Sequence, residues 1–236
     1  RGRWLAAADG RGSGLRSLAG LGGRPAALRR FGVRRHFRVV PWSDLVEVHW
    51  TAGCEAYVTP VGEDLVGVAM LWSGGAARFD DLLARVPALE RRLAGAEPAS
   101  KDRGAGPLAQ RCRRVARGRL ALVGDAAGYL DAITGEGLAL AFREAAAVVE
   151  AIAAGDLQRY AAAHRRIVRH PLLVIRMLLL VERLPQLRRR VMTALAADPG
   201  LMSRFLALKL RSGGPRVMGG DGLLRLALAT VVGGPR

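Results

Sequence analysis

Apolar and polar residues alternate through the first third of the chain. Val46, Val48 and Trp50 fall on one face of an extended backbone, with Glu47, His49 and Thr51 on the other, the period of two that marks a half-buried strand. Runs of the same character occupy residues 31–40, 55–61 and 65–71, separated by turn-forming stretches at 41–44, 52–54 and 62–64. Such short connections join neighbouring strands, so the pattern predicts an antiparallel sheet. The period then changes: Phe79, Leu82, Leu83, Val86, Leu89 and Leu93 have the 3.6-residue spacing of one surface helix over 78–93. A Gly-, Pro- and Ser-bearing linker is expected up to about residue 107. The apolar run 120–123 breaks at Gly124-Asp125, as a buried parallel strand would, and 137–154 clusters Leu, Ala and Val as a well-buried helix would. The rest reads as helical. Asp156 is expected as an N-cap and Pro171 as a first helical residue, with breaks at Pro185, Pro199-Gly200 and 213–215 and a last apolar helix over 222–232. Residues 1–30 are rich in Gly and Arg, with a turn at 8–14 leading into a brief helix over 15–21.

Composition changes this picture only at its edges. With 236 residues, half of them hydrophobic, the chain can bury a sizeable core in one large domain or two lobes. The 37 Lys plus Arg against 20 Asp plus Glu leave +17, which raises nucleic acid, anionic membrane or phosphorylated ligands as partners. Nearly all of the cations are Arg, in a chain dominated by Ala, Gly, Leu and Arg. That bias is read as a basic surface without a specific nucleic-acid partner. Cys54 and Cys112 are too few for a disulfide scaffold and lack metal-ligand spacing, which points to a reduced, cytoplasmic setting. The run 172–184 is interrupted by Arg176 and Glu182, so it does not read as a span. With Arg165, Arg166 and Arg169 beside it, it is either the core of a helical cap or a peripheral membrane contact.

The chemistry concentrates in residues 119–138. A strand carries Asp125 to its C-terminal edge, a small-residue turn through Ala126 lets backbone approach a ligand closely, and a helix starts near Gly135-Glu136-Gly137. A carboxylate there accepts hydrogen bonds from ligand hydroxyls. The helix start directs free amides and a positive dipole end at whatever lies above it. Glu136 is either a catalytic acid or a partner of that dipole. Tyr57 and Trp50 are either the lining of a substrate cavity or ordinary sheet core. Cys54 reads as structural, and the four histidines show no triad or metal pattern.

These residues resemble a known group, the FAD-dependent oxidoreductases that include aromatic hydroxylases of the para-hydroxybenzoate hydroxylase type and the geranylgeranyl reductases. The resemblance lies in Gly124-Asp125-Ala126-Ala127 followed by Gly135 and Gly137. Gly128 and the run Thr134-Gly135-Glu136-Gly137 look closer to the geranylgeranyl reductases, while Ala132 departs from the Pro of many relatives. A second match, Asp9-Gly10 with Ser13 and Arg16, resembles the upstream Asp-Gly motif of the same group. The resemblance implies an α/β fold with a partial Rossmann-like FAD-binding lobe (1–30 and 108–155), an antiparallel substrate lobe (31–107) and a helical C-terminal region (156–236). It implies that Gly124, Asp125 and Ala126 meet the ribityl chain, that Gly135, Glu136 and Gly137 meet the isoalloxazine, and that Asp9, Gly10, Ser13 and Arg16 help to bind nucleotide. The expected activity is hydride transfer between FAD and an organic, isoprenoid or polyketide-like substrate, with NAD(P)H as electron donor. The alternatives are an FAD-dependent NAD(P)H monooxygenase and, in another class, a basic nucleic-acid or membrane-surface module. No Gly-x-Gly-x-x-Gly follows a strand, and the chain opens on Arg1 as if mid-protein. The expectation is therefore a sequence without the group's first nucleotide-binding unit and with weak or absent FAD binding on its own.

Overall fold

The computed structural model describes residues 2–25, 29–198, 200, 201 and 203. The chain divides into two compact units, residues 1–168 and 169–236, and the first holds both sheets. The larger sheet is built on β2 (Arg30–Arg38), β3 (Glu47–Thr51), β4 (Cys54–Gly62) and β5 (Leu65–Ser73), all antiparallel in the order β3-β4-β5-β2. The alternation sorts its side chains. Phe37, Cys54, Ala56, Val58, Val66, Val68, Met70 and Trp72 pack with Phe79, Leu82, Val86, Leu89 and Leu93 into one core, while Glu55 and Tyr57 alternate out of that set on β4.

The helix expected over 78–93 is two short helices, α2 (Phe79–Leu83) and α3 (Pro87–Arg92). Pro87 is the reason: lacking an N–H it cannot continue α2, but its fixed φ suits the first turn of α3. The linker expected up to residue 107 is a correction too. It contains β6 (Glu97–Pro98) and β7 (Arg103–Ala105), both paired antiparallel with β2.

The smaller sheet joins β1 (Leu5–Ala7) to β9 (Leu120–Leu122) in parallel, with β8 (Ala116–Arg117) antiparallel to β9. The brief helix is α1 (Gly14–Leu18), and the helix after the Gly-Asp turn is α4 (Gly137–Ala153). Ala7, Leu122, Ala126, Val148, Ala151, Leu157 and Tyr160 form the core here. The α4 helix is not well buried all round: Leu138 is 76% exposed and Phe142 72%. Its Leu, Ala, Phe and Val spread over more than one face, with exposed Arg143 and Glu150 among them, and only one face meets the core.

Asp156 does cap, its Oδ1 accepting from the Gln158 amide at 2.8 Å. Pro171 does not begin a helix. It lies fully buried inside α5 (Leu157–Arg183), which runs on through it; α6 (Pro185–Ala197) then starts at Pro185. The segments 213–215 and 222–232 lie outside the described residues.

Candidate functional site

The parallel register sets Ala7 beside Leu122, and the Val123 amide donates to the Ala7 carbonyl at 2.9 Å. Both strands therefore end at one edge, bringing residues 8–10 and 123–125 together, although more than a hundred positions separate them. A cleft of about 420 Å³ opens there, lined among others by Ala8, Gly10, Gly124, Asp125, Tyr129 and Asp131, with the start of α4 as its wall. Ligands of α/β folds bind at such C-terminal strand edges.

The floor is built for close approach. Gly124 sits at φ +62°, and a Cβ on it would stand 3.2 Å from the Ala141 side chain, so both backbone shape and the packing of α4 call for glycine. Its amide donates to Glu144 Oε2 at 2.7 Å, a buried carboxylate whose other oxygen lies 3.4 Å from His164 Nε2. Arg16, also buried, donates to the Ala126 carbonyl at 3.1 Å and to the Arg11 carbonyl at 2.6 Å, with a longer 3.4 Å contact to the Asp125 carbonyl. Ser13 Oγ caps α1 by accepting from the Arg16 amide at 2.9 Å, and Asp9 accepts from the Leu15 amide at 3.2 Å. A hydrogen bond from Ser13, then the Leu15 amide, hold the Asp9 carboxyl below the usual range. Asp9, Ser13 and Arg16 thus form one local scaffold around the turn, and of that motif Gly10 lines the cleft itself.

Asp125 differs from these carboxylates. Among the described residues no protein group hydrogen-bonds its side chain. Partial burial pushes its carboxyl up, opposed by the field of Arg11 and aided by that of Glu144. Across from it, Gly135 turns at φ +68° and Glu136 stands at the N-cap of α4 without a side-chain cap bond. No acidic residue occupies the first turn, so its amides keep their donors and the positive dipole end. Tyr129, beside Asp125, is pushed up to about 12 by burial. An acceptor carboxylate therefore faces a set of donors across one cleft, an arrangement suited to a ligand with hydroxyls at one end and an electron-rich edge at the other.

Of the residues expected at the site, Gly10, Gly124, Asp125, Gly135, Glu136 and Gly137 line this cleft, and Ala126 lies buried just beneath it. Tyr57 and Trp50 do not line it. Asp131, Glu144 and Tyr129 went unremarked in the sequence as site residues. Glu144 carried only a weak signal, one of two acids, with Glu150, among the Ala and Val of α4.

No family model matches the sequence, nor does any curated protein. Solved structures do. A flavoprotein/dehydrogenase from Cytophaga hutchinsonii superposes with a TM-score of 0.73 at 16% identity, over 98% of this chain and 62% of that one. The chain shares the fold of this flavoprotein. A variant of the halogenase PltM in complex with FAD shares it at a TM-score of 0.65 and 17% identity, over 95% of this chain and 52% of its own. The flavin-dependent halogenase CmlS does so at 0.60 and 22%, over 70% of this chain and 34% of its own. The chain thus spans from about a third to under two thirds of these structures, and at such identities the likeness concerns fold alone.

Proposed function

We propose that the cleft holds the ribityl and isoalloxazine end of FAD and that the chain is part of an FAD-dependent oxidoreductase. The observation that carries this reading is the Asp125 carboxylate, without a hydrogen-bond partner among the described residues, set in one cleft with the uncapped start of α4. A carboxylate so placed accepts from ribityl hydroxyls, and the donors of α4 favour negative charge on the pyrimidine edge of a reduced ring. Bound there, FAD supplies two-electron redox chemistry. The protein's share is to orient: Gly124 and Gly135 let backbone come close, Arg16 fixes the turn, and Glu144 holds its amide. The volume and donor set fit the flavin end. The adenosine diphosphate end takes its contacts from residues other than those described, since no Gly-x-Gly-x-x-Gly follows a strand in this sequence.

The reaction we infer is hydride transfer to or from an organic, isoprenoid or polyketide-like substrate, as in the geranylgeranyl reductases that residues 124–137 resemble, with NAD(P)H as donor. A second reading, an oxygen-using enzyme of the hydroxylase type, gains support from structural neighbours described as flavin-dependent halogenases. The two part under nitrogen, where a reductase turns over and an oxygen-using enzyme stops.

The cofactor claim is tested by titrating the chain with FAD and with riboflavin and following flavin fluorescence. Asp125→Ala should weaken binding by roughly 10- to 100-fold, the loss expected for hydrogen bonds to a charged acceptor. Equal affinity in the variant would remove Asp125 from the site and the reading with it.

A further inference from the structure

A buried ionic cluster joins the larger sheet to the cleft wall at Asp131. Arg30, at the start of β2, is 1% exposed and donates from Nε to Asp131 Oδ2 at 2.9 Å and from Nη2 to Glu55 Oε1 at 3.1 Å. Glu55, on β4, is fully buried, and its other oxygen lies 2.9 Å from the Tyr57 hydroxyl. That same hydroxyl lies 3.2 Å from the Ile133 carbonyl. Asp131 also accepts the Ile133 amide at 3.1 Å. Two residues of the larger sheet, Arg30 and Tyr57, thereby grip the loop that leads from the cleft wall at Asp131 to Gly135 and the start of α4.

The proton count within the cluster is informative. Tyr57 has one hydroxyl proton and two acceptors, Glu55 Oε2 and the Ile133 carbonyl. With Glu55 ionised that one proton is shared or goes to the carboxylate; both contacts are full hydrogen bonds at once when Glu55 carries a proton and donates it to the phenol oxygen, leaving Tyr57 to donate to Ile133. The titratable or charged groups acting on Glu55 are Arg30 from β2, Tyr57 from its own strand and Asp131 from the loop, and burial outweighs the pull of Arg30.

We propose that Arg30, Glu55 and Tyr57 form a clamp that positions the 131–135 loop at the cofactor cleft, closed when Glu55 is protonated and loosened when it ionises. On ionisation the Glu55 proton leaves to solvent, the Tyr57 proton turns to the carboxylate, and the Ile133 carbonyl loses its donor. These are positioning residues, and their relevance to a cofactor rests on the flavin reading of the cleft.

Amide hydrogen exchange of the chain across a pH series, with protection factors corrected for intrinsic rates, tests the clamp directly. The amides to watch are Ile133 and Gly135, the latter bonded to the Ala132 carbonyl at 2.9 Å. Their protection should fall about tenfold as pH rises through the Glu55 titration, the worth of one net hydrogen bond. Glu55→Gln, whose amide donates to Tyr57 at any pH, should keep the high protection throughout. Tyr57→Phe should show the low value throughout, with β4 and β5 amides unmoved. FAD affinity should follow the same three patterns. A pH response retained in Glu55→Gln, or full protection in Tyr57→Phe, overturns the clamp. Loop exchange that behaves as expected beside a flavin affinity indifferent to pH and to both substitutions overturns the link to the cofactor alone.

Discussion

Arg16 is the residue on which the cleft most depends for its shape. Its guanidinium is spent on carbonyls of residues 11 and 126, with Gln110 Oε1 at 3.4 Å, so a role toward nucleotide would act through the turn it holds. Replacing it by Met leaves buried carbonyls without donors, at about 1–3 kcal/mol each. We expect Arg16→Met to lower unfolding free energy by roughly 2–4 kcal/mol in urea denaturation. A loss below about 0.5 kcal/mol would mean that water replaces the guanidinium. The carboxyls supply a pH signature whose sign follows from linkage. Asp9 and Asp80, the latter paired with Arg35, are held low; they contribute stability that is present above about pH 4 and lost as pH falls through their folded values. Glu55, Asp131 and Asp125 are pushed up, chiefly by burial. In the window above about pH 4 the folded state binds more protons than the unfolded one, so their stability is lost as pH rises through the folded values. Denaturation as pH rises above about 4 should show a negative slope that Glu55→Gln makes shallower, and an identical slope in both proteins would refute the assignment.

At the scale of elements, α4 carries a question on its outer face. Leu138, Phe142 and Val149 are 76%, 72% and 66% exposed and lie on one side of the helix by their spacing. The edge of β1 away from β9 pairs with no described strand. An exposed apolar surface and an open strand edge each favour association. Light scattering of the chain should reveal self-association that Phe142→Glu reduces; a monomer in both proteins would mean the face is satisfied within the chain. Much of this architecture was legible in the sequence, for stated reasons. Alternation gave β2 to β5, and the break of an apolar run at Gly124-Asp125 gave β9 and its turn. What escaped had weak local signatures. Three residues, Leu5–Ala7, are too few to show a period. Arg103–Ala105 is a strand only because β2 offers it an edge. The apolar spacing across 78–93 continues through Pro87 and hides the break there. The Arg30–Asp131 pair joins residues 101 apart, and nothing local distinguishes that arginine from its many neighbours.

For the whole molecule, the charge of +17 overstates what is free. Arg30 is buried in an ionic cluster, Arg35 is clasped by Asp80 and Asp102 at 2.6 Å each, and Arg38 by Asp64 at 2.9 Å. No described helix is long and apolar enough to cross a membrane, and among the described residues no group of three or more acids, His or Cys is placed to hold a metal. Reading the gene upstream of the Arg1 codon by roughly 100–150 residues, about one nucleotide-binding unit with its connections, gives the decisive comparison. A polypeptide extended by a strand, Gly-x-Gly-x-x-Gly and helix should bind FAD at least about tenfold more tightly than the 236 residues alone, since contacts to the diphosphate add to those at the cleft. Equal affinity would confine the binding site to the flavin end.

The parallel pairing of β1 with β9 also bears on how the molecule assembles. Arg16 and Ala126 meet across 110 positions, while β3, β4 and β5 pair in turn through short connections. Closing a long loop costs entropy before any contact repays it, so non-local pairings form slowly and hairpins form early. Had the intervening chain stayed loose, β1 would have searched for β9 at the end of a long tether. Folded first as a sheet, that segment becomes a rigid spacer that delivers both strand ends to one place. On this topology we expect the cleft to form late, so that a ligand bridging its two walls slows unfolding more than it speeds folding.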